Sequence, residues 1–209
     1  MKYKIFNLLP SFGTNTYLIW DEKTKEAAVI DPSAPSEEFI QEIRNLKPKY
    51  LILTHAHGDH IGGIEYVKDN FDINICIHKE DADALADPVK NLSYYFDWSI
   101  TAPKPDILLQ DNDDLFLGSE KLKIIHTPGH SKGGICILTS NFIVTGDTLF
   151  NKGIGRTDLS GGDHRTLINS IEKKIFSYDD KLEILPGHGP VSTIGKEKQN
   201  NPFVGTKID

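Results

Sequence analysis

Thr54-His55-Ala56-His57-Gly58-Asp59-His60 follows directly on the apolar run Tyr50-Leu51-Ile52-Leu53. Residues two apart on an extended segment project to one side, so His55 and His57 can grip a single ion. Gly58 permits a sharp turn. Asp59 and His60 then project from that turn, or from the first residues of a helix, towards a second ion. Imidazole and carboxylate are the donor types that suit zinc, iron or manganese.

Working outward, three more candidate ligands stand just after apolar runs, each beside a glycine that lets the backbone turn. They are His130 in Thr127-Pro128-Gly129-His130-Ser131, Asp147 in Thr145-Gly146-Asp147-Thr148, and His188 in Pro186-Gly187-His188-Gly189-Pro190. Alone, each reads as an ordinary turn residue. Together with the cluster at residues 55–60 they form a candidate metal constellation on strand-end loops. His78, His126 and His164 have no such support and are read as structural.

The surrounding pattern is of strands in two runs, each accompanied by helices. Residues 3–9, 16–20, 27–30, 50–53 and 73–77 read as strands, as do 115–117, 122–126, 135–138, 142–144 and 182–185. Residues 36–46 read as a helix, with Phe39, Ile40, Ile43 and Leu46 at helical spacing and Ser33 or Ser36 as its cap. Residues 163–176 read as another, with Leu167, Ile168, Ile171 and Ile175 on one face. A short helix is expected after His60, through Ile64 and Val67. Two sheets packed face to face with helices outside would satisfy this order. Residues 81–105 are polar, with Tyr94, Tyr95, Phe96 and Trp98 clustered. They read either as a packed loop with short helices or as a wall facing a substrate.

Composition bounds the function. A chain of 209 residues, 38% apolar and 25% charged, fits one globular domain over residues 1–209. A net charge of −7 argues against nucleic acid, which demands clustered Lys and Arg. No apolar run approaches the length of a membrane span, and the start of the chain is too polar for a signal peptide. The two cysteines, Cys76 and Cys136, sit in apolar runs as small buried hydrophobes would, which fits a reducing compartment. A cytoplasmic location is the expectation.

The motifs resemble those of the metallo-β-lactamase superfamily: His55-x-His57-x-Asp59-His60, then His130, Asp147 and His188 in that order. The resemblance begins near Asn15-Thr16-Tyr17 and covers almost the whole chain. It implies an α/β (α+β) fold, a four-layered αββα sandwich of two mixed sheets flanked by helices, with the site at the open edge between the sheets. The second half is similar to single-domain type II glyoxalase-like proteins. The stretches that carry this are Gly146-Asp147-Thr148-Leu149-Phe150, Gly153-Ile154-Gly155-Arg156-Thr157-Asp158, Thr193-Ile194-Gly195 and Asn201-Pro202-Phe203.

That resemblance implies hydrolysis of a thioester such as S-lactoylglutathione. It assigns His55, His57 and His130 to one divalent ion and Asp59, His60 and His188 to another, with Asp147 bridging. Zinc is the first candidate, with iron or manganese as alternatives. Two ions about 3.5–4 Å apart can share a hydroxide that attacks the carbonyl. One ion stabilises the oxyanion, and Asp59 can share in proton transfer. Full-length type II glyoxalases carry a C-terminal helical domain that supplies much of the glutathione site, and none is expected within these residues. Arg156 and Lys152 are the candidate substrate-binding residues, and Arg156 could equally pair with Asp158 or Asp163. The partner expected is a small-molecule thioester. The alternatives are a persulfide dioxygenase with a single iron and a non-catalytic metal-binding regulatory protein. A true β-lactamase is disfavoured, because Asp147 stands where the antibiotic-degrading branches place Cys or Ser.

Overall fold

The computed structural model describes residues 1–205; the end of the expected domain, 206–209, lies outside them. The first sheet runs β1 (Lys2–Leu9), β2 (Thr14–Trp20), β3 (Glu26–Ile30), β4 (Lys47–Ile52), β5 (Asn74–His78) and β6 (Ile107–Leu109), in that spatial order. Its first three strands are antiparallel neighbours, and β3 to β6 are parallel. The second sheet is built from β7 (Asp114–Leu117), β8 (Glu120–His126), β9 (Ile135–Leu138), β10 (Phe142–Gly146), β13 (Glu183–Pro186) and β14 (Ser192–Thr193). All its pairs are antiparallel except β10 with β13. A small hairpin, β11 (Leu149–Phe150) and β12 (Gly153–Ile154), lies between them in sequence.

Strand alternation explains the layering. Successive side chains point to opposite faces, so a strand buried on both sides is apolar throughout. On β3, Ala28 and Ile30 face the second sheet, while Ala27 and Val29 face the outer helices. On β10, Phe142 and Val144 point inward and Ile143 outward. Three cores result. One lies between the sheets. One lies between the first sheet and the helices α1 (Glu37–Arg44), α2 (Gly58–Ile61) and α3 (Ile64–Asn70). One lies between the second sheet and α4 (His164–Lys173) with α5 (Ile194–Asn200). This is the four-layered αββα sandwich.

Local chemistry sets the helix ends. Ser36, not Ser33, caps α1, its Oγ accepting from the Phe39 amide at 3.2 Å. Ser33 is buried instead against the Thr16 hydroxyl, at 3.0 Å. Asp163 caps α4 by accepting from the Thr166 amide at 2.7 Å, so the helix starts one residue later than the periodicity suggests. That helix ends at Lys173, and a separate 3-10 turn spans Ile175–Ser177. Both cysteines are free thiols packed in the cores, and burial pushes Cys76 up to about 12 and Cys136 up to about 11. Among the described residues no helix is long and apolar enough to cross a membrane.

Candidate metal centre

Every candidate ligand stands just past the C-terminal end of a strand. His55 follows β4, and His57 immediately precedes α2, whose first turn carries Asp59 and His60. His130 follows β8, Asp147 follows β10 and His188 follows β13. β10 and β13 run parallel with Gly146 opposite Pro186, which sets Asp147 and His188 side by side. Gly146 has φ +46°, a conformation that L side chains rarely adopt, and a Cβ there would strike the Thr54 side chain. A Cβ at Gly187 would strike Asp147 Oδ1.

The side chains converge in two groups. His55, His57 and His130 offer donor atoms within 4.8 Å of one another, and so do Asp59, His60 and His188. His130 Nε2 lies 2.9 Å from His57 Nδ1 and 3.3 Å from His55 Nε2. His60 Nε2 and His188 Nε2 are 3.3 Å apart. Asp147 stands between the groups: Oδ1 is 3.5 Å from His60 Nε2, and Oδ2 is 3.5 Å from His130 Nε2 and 3.4 Å from His188 Nε2.

The far side of each ring shows which nitrogen is free. His130 Nδ1 donates to the Arg156 carbonyl at 2.8 Å, and His188 Nδ1 to the Phe12 carbonyl at 3.1 Å. His60 Nδ1 donates to Asp31 Oδ2 at 2.9 Å. The Thr54 hydroxyl gives its proton to Asp31 Oδ2 at 2.6 Å, so it accepts from His55 Nδ1 at 3.1 Å. With protons fixed there, these rings, whenever they are in the neutral form that ligates a cation, aim Nε2 lone pairs inward at one another. Lone pairs facing at 3.3 Å repel unless a cation lies between them. Asp147 Oδ1 is moreover buried with no hydrogen-bond partner, an arrangement costly unless something else satisfies it. The residues therefore fit divalent cations.

The electrostatics agree. Burial works against charge on Asp147, yet His60, His188 and His130 outweigh it and hold the carboxyl at about 2. Asp59 is likewise held well below the usual carboxylate range, against burial, by His60, His188 and the Thr14 hydroxyl. The two carboxylates overcome the burial penalty on the imidazoles facing them, raising His60 to about 9 and His188 to about 10. At His57, burial and then His130 outweigh the same carboxylates and push the imidazole down to about 3. A field that charges two buried imidazoles also favours a divalent ion.

Sequence reading missed the residues that support this centre. Asp31, at the end of β3, accepts from the Thr54 amide, the Thr54 hydroxyl and His60 Nδ1. Asp31, His55 and His60 also group closely, but those hydrogen bonds make Asp31 an orienting partner of two ligands and not part of a third ion site. Asp81 accepts from Ser131 Oγ at 2.7 Å and from the Gly133 amide at 2.6 Å, tying down the chain after His130. Asn15 donates to the Pro186 and Gly189 carbonyls and so grips the turn around His188. The Ile30-Asp31-Pro32-Ser33 strand end was the one visible signal for Asp31.

The centre floors a cavity of about 170 Å³. Arg156 lines it, and its guanidinium makes two 2.8 Å bonds to Asp158. Lys152 lies on the hairpin turn between β11 and β12, outside the cavity, with its amide bound to Glu197. His78 and His126 stack on each other 4.0 Å apart, away from the centre. Residues 81–105 turn out to be a packed loop with two 3-10 turns, Ala82–Ala86 and Ser93–Phe96, whose later part faces the cavity.

Fold and centre together define a class, and the chain belongs to the metallo-beta-lactamase superfamily, whose sequence pattern matches residues 9–188. Among its relatives is the hydroxyacylglutathione hydrolase GloC of Haemophilus influenzae, 39% identical over 203 residues that cover 94% of this chain and 95% of that one. The crystal structure of the BLEG-1 B3 metallo-beta-lactamase superposes with a TM-score of 0.91 at 38% identity, covering 97% of this chain and 99% of the other. That of TTHA1623 in a di-iron-bound form superposes with a TM-score of 0.81 at 28% identity, covering 96% and 99%.

Proposed function

We propose that the chain is a metal-dependent hydrolase that cleaves a small thioester such as S-lactoylglutathione, with zinc as the first candidate ion and iron or manganese as alternatives. One observation carries the reading: two groups of three donors meet at the buried carboxylate of Asp147, on the floor of an open cavity. The relative named hydroxyacylglutathione hydrolase supports the thioester, and the di-iron-bound neighbour supports a pair of ions.

In this reading His55, His57 and His130 hold one ion, Asp59, His60 and His188 the other, and Asp147 serves both. Such a pair supplies an acidified water as nucleophile and a Lewis acid for the carbonyl oxygen. The chain's own residues do the rest. Asp31, Thr54 and the carbonyls of Phe12 and Arg156 lock the rings, so the donors do not have to reorganise as charge develops. Asp59 and Asp147 are both held ionised, which suits them to bind cations. The leaving thiolate is stable enough to depart without a strong general acid. Arg156, at the cavity edge, is placed to meet a substrate carboxylate if it exchanges Asp158 for it.

The test is to load the purified protein separately with zinc, iron and manganese, measure bound metal, and assay S-lactoylglutathione beside a chromogenic cephalosporin. Thioester turnover that disappears on chelation and exceeds β-lactam turnover is the expected result. The B3 metallo-beta-lactamase neighbour makes β-lactam hydrolysis the second reading, and faster cephalosporin turnover would establish it. Full metal content with neither activity would overturn both.

A further inference from the structure

We propose that the cavity carries an aromatic subsite, formed by Phe12, Phe96 and Trp98, that seats an aryl or branched alkyl group of the substrate beside the scissile bond. The inference rests on the thioester reading above and narrows its substrate class. The three rings form one wall: Phe12 meets Phe96 edge-on at 5.2 Å between centroids and Trp98 at a tilt at 4.6 Å. Leu92 and Leu159 add apolar surface to the same cavity.

The wall is joined to the centre at two points. The carbonyl of Phe12 holds His188 Nδ1, so the residue that orients one candidate ligand also presents a ring to the substrate. The carbonyl of Asn91 accepts from the Gly58 amide at 2.8 Å, between His57 and Asp59. The loop is also strained. Leu92, Asp97 and Ser99 have φ of +67°, +58° and +47°, although none is glycine. Such conformations cost roughly 1–3 kcal/mol each and persist where the surroundings impose them. Asn91 Nδ2 donates to the Ala84 and Ile100 carbonyls and Ser93 Oγ accepts from the Ile100 amide, which holds the loop in that shape. The result keeps Phe96 50% exposed at the cavity rim.

Charge on the cavity wall points the same way. Among the described residues Arg156 is the only Lys or Arg that lines it, and its Nε and one terminal nitrogen are already paired with Asp158. That leaves one cation for a carboxylate of the thiol carrier, whereas an apolar group would cover exposed aromatic surface.

The experiment compares three thioesters on the metal-loaded protein, one of them common to both arms. In one arm the thiol is N-acetylcysteamine and the acyl group is phenylacetyl or lactoyl. In the other the acyl group is lactoyl and the thiol is benzyl mercaptan or N-acetylcysteamine. The arm with the aryl group on the correct side should show kcat/KM about tenfold higher for the aryl compound, a typical worth for one buried ring. Trp98→Ala and Phe96→Ala should each remove most of that preference. Tyr95→Ala, exposed and outside the cavity, should keep it. Calorimetric binding of phenylacetate against lactate reads the subsite without turnover, and Trp98→Ala should abolish the difference. If no thioester is cleaved, the thioester reading fails while this binding comparison still decides the subsite. Equal kcat/KM in both arms, with equal affinity for the two acids, would overturn it.

Discussion

Asp147 and His126 show how far position outweighs residue type. His126 is an imidazole near the centre in sequence, yet its Nε2 is occupied by the Lys132 carbonyl at 2.8 Å and its ring stacks on His78. Asp147 is a single carboxylate with a different imidazole within 3.5 Å of each oxygen. Asp147→Ala should therefore lose one or both ions and lower kcat by at least about 100-fold, since a shared ligand both binds and positions them. His126→Ala should keep metal and stay within about threefold of the parent, because it removes a stacked ring and no donor. Elemental analysis and steady-state kinetics on the pair decide the matter. Equal metal and turnover in the two variants would refute the role given to Asp147. The ligand cluster at residues 55–60 was legible because its spacing is local. Asp31 was not, because its partners Thr54 and His60 lie 23 and 29 residues away.

At the scale of the element, capping decides boundaries and alternation decides faces. The strands with runs of Ile, Leu and Val were readable from their composition. β6, β11, β12 and β14 were not, being two or three residues long and held by neighbours more than by propensity. α5 carries few apolar residues and was not anticipated as a helix. It is fixed by the Thr193 cap and by buried Glu197, which accepts from the Lys152 amide and Asn201 Nδ2. Ser36→Ala isolates a cap remote from the centre. Its Oγ bond to Phe39 is worth about 1 kcal/mol, so thermal unfolding should shift down by about 2–4 °C for a chain of this size. Metal content should not change. A fall in bound metal would show that α1 is coupled to the centre in a way its contacts do not suggest.

For the whole molecule, the centre is also a clamp between layers. Its donors come from the ends of β4 in one sheet and of β8, β10 and β13 in the other. An ion held by His55 and His130, or by His60 and His188, therefore joins the two sheets across the inter-sheet core. Anything that binds the folded chain and not the unfolded one stabilises by mass action, about 2.7 kcal/mol at a hundredfold excess over Kd. Removing metal with a strong chelator should lower Tm by roughly 5–10 °C, and adding it back should restore the loss. Differential scanning calorimetry at fixed protein concentration measures this. An unchanged Tm would mean that the cation sites are occupied weakly or not at all.

The sequence by itself determined the donor types, their order and the layered architecture. Those depend on features spaced a few residues apart: two-residue alternation, helical periodicity, and imidazoles and a carboxylate packed into residues 55–60. The grouping of the donors was implied by the resemblance; only the tertiary structure decided which nitrogen of each ring points inward. The same holds for Asp31 and Asp81 as the supports of the centre. It also decided that Phe12, from the turn after β1, meets Phe96 and Trp98, more than eighty residues away, across the cavity. The physical reason is range. Backbone preference and amphipathic pattern act over one or two turns of chain, whereas convergence of distant loops is fixed by how the two sheets stack and by which of their strand ends meet.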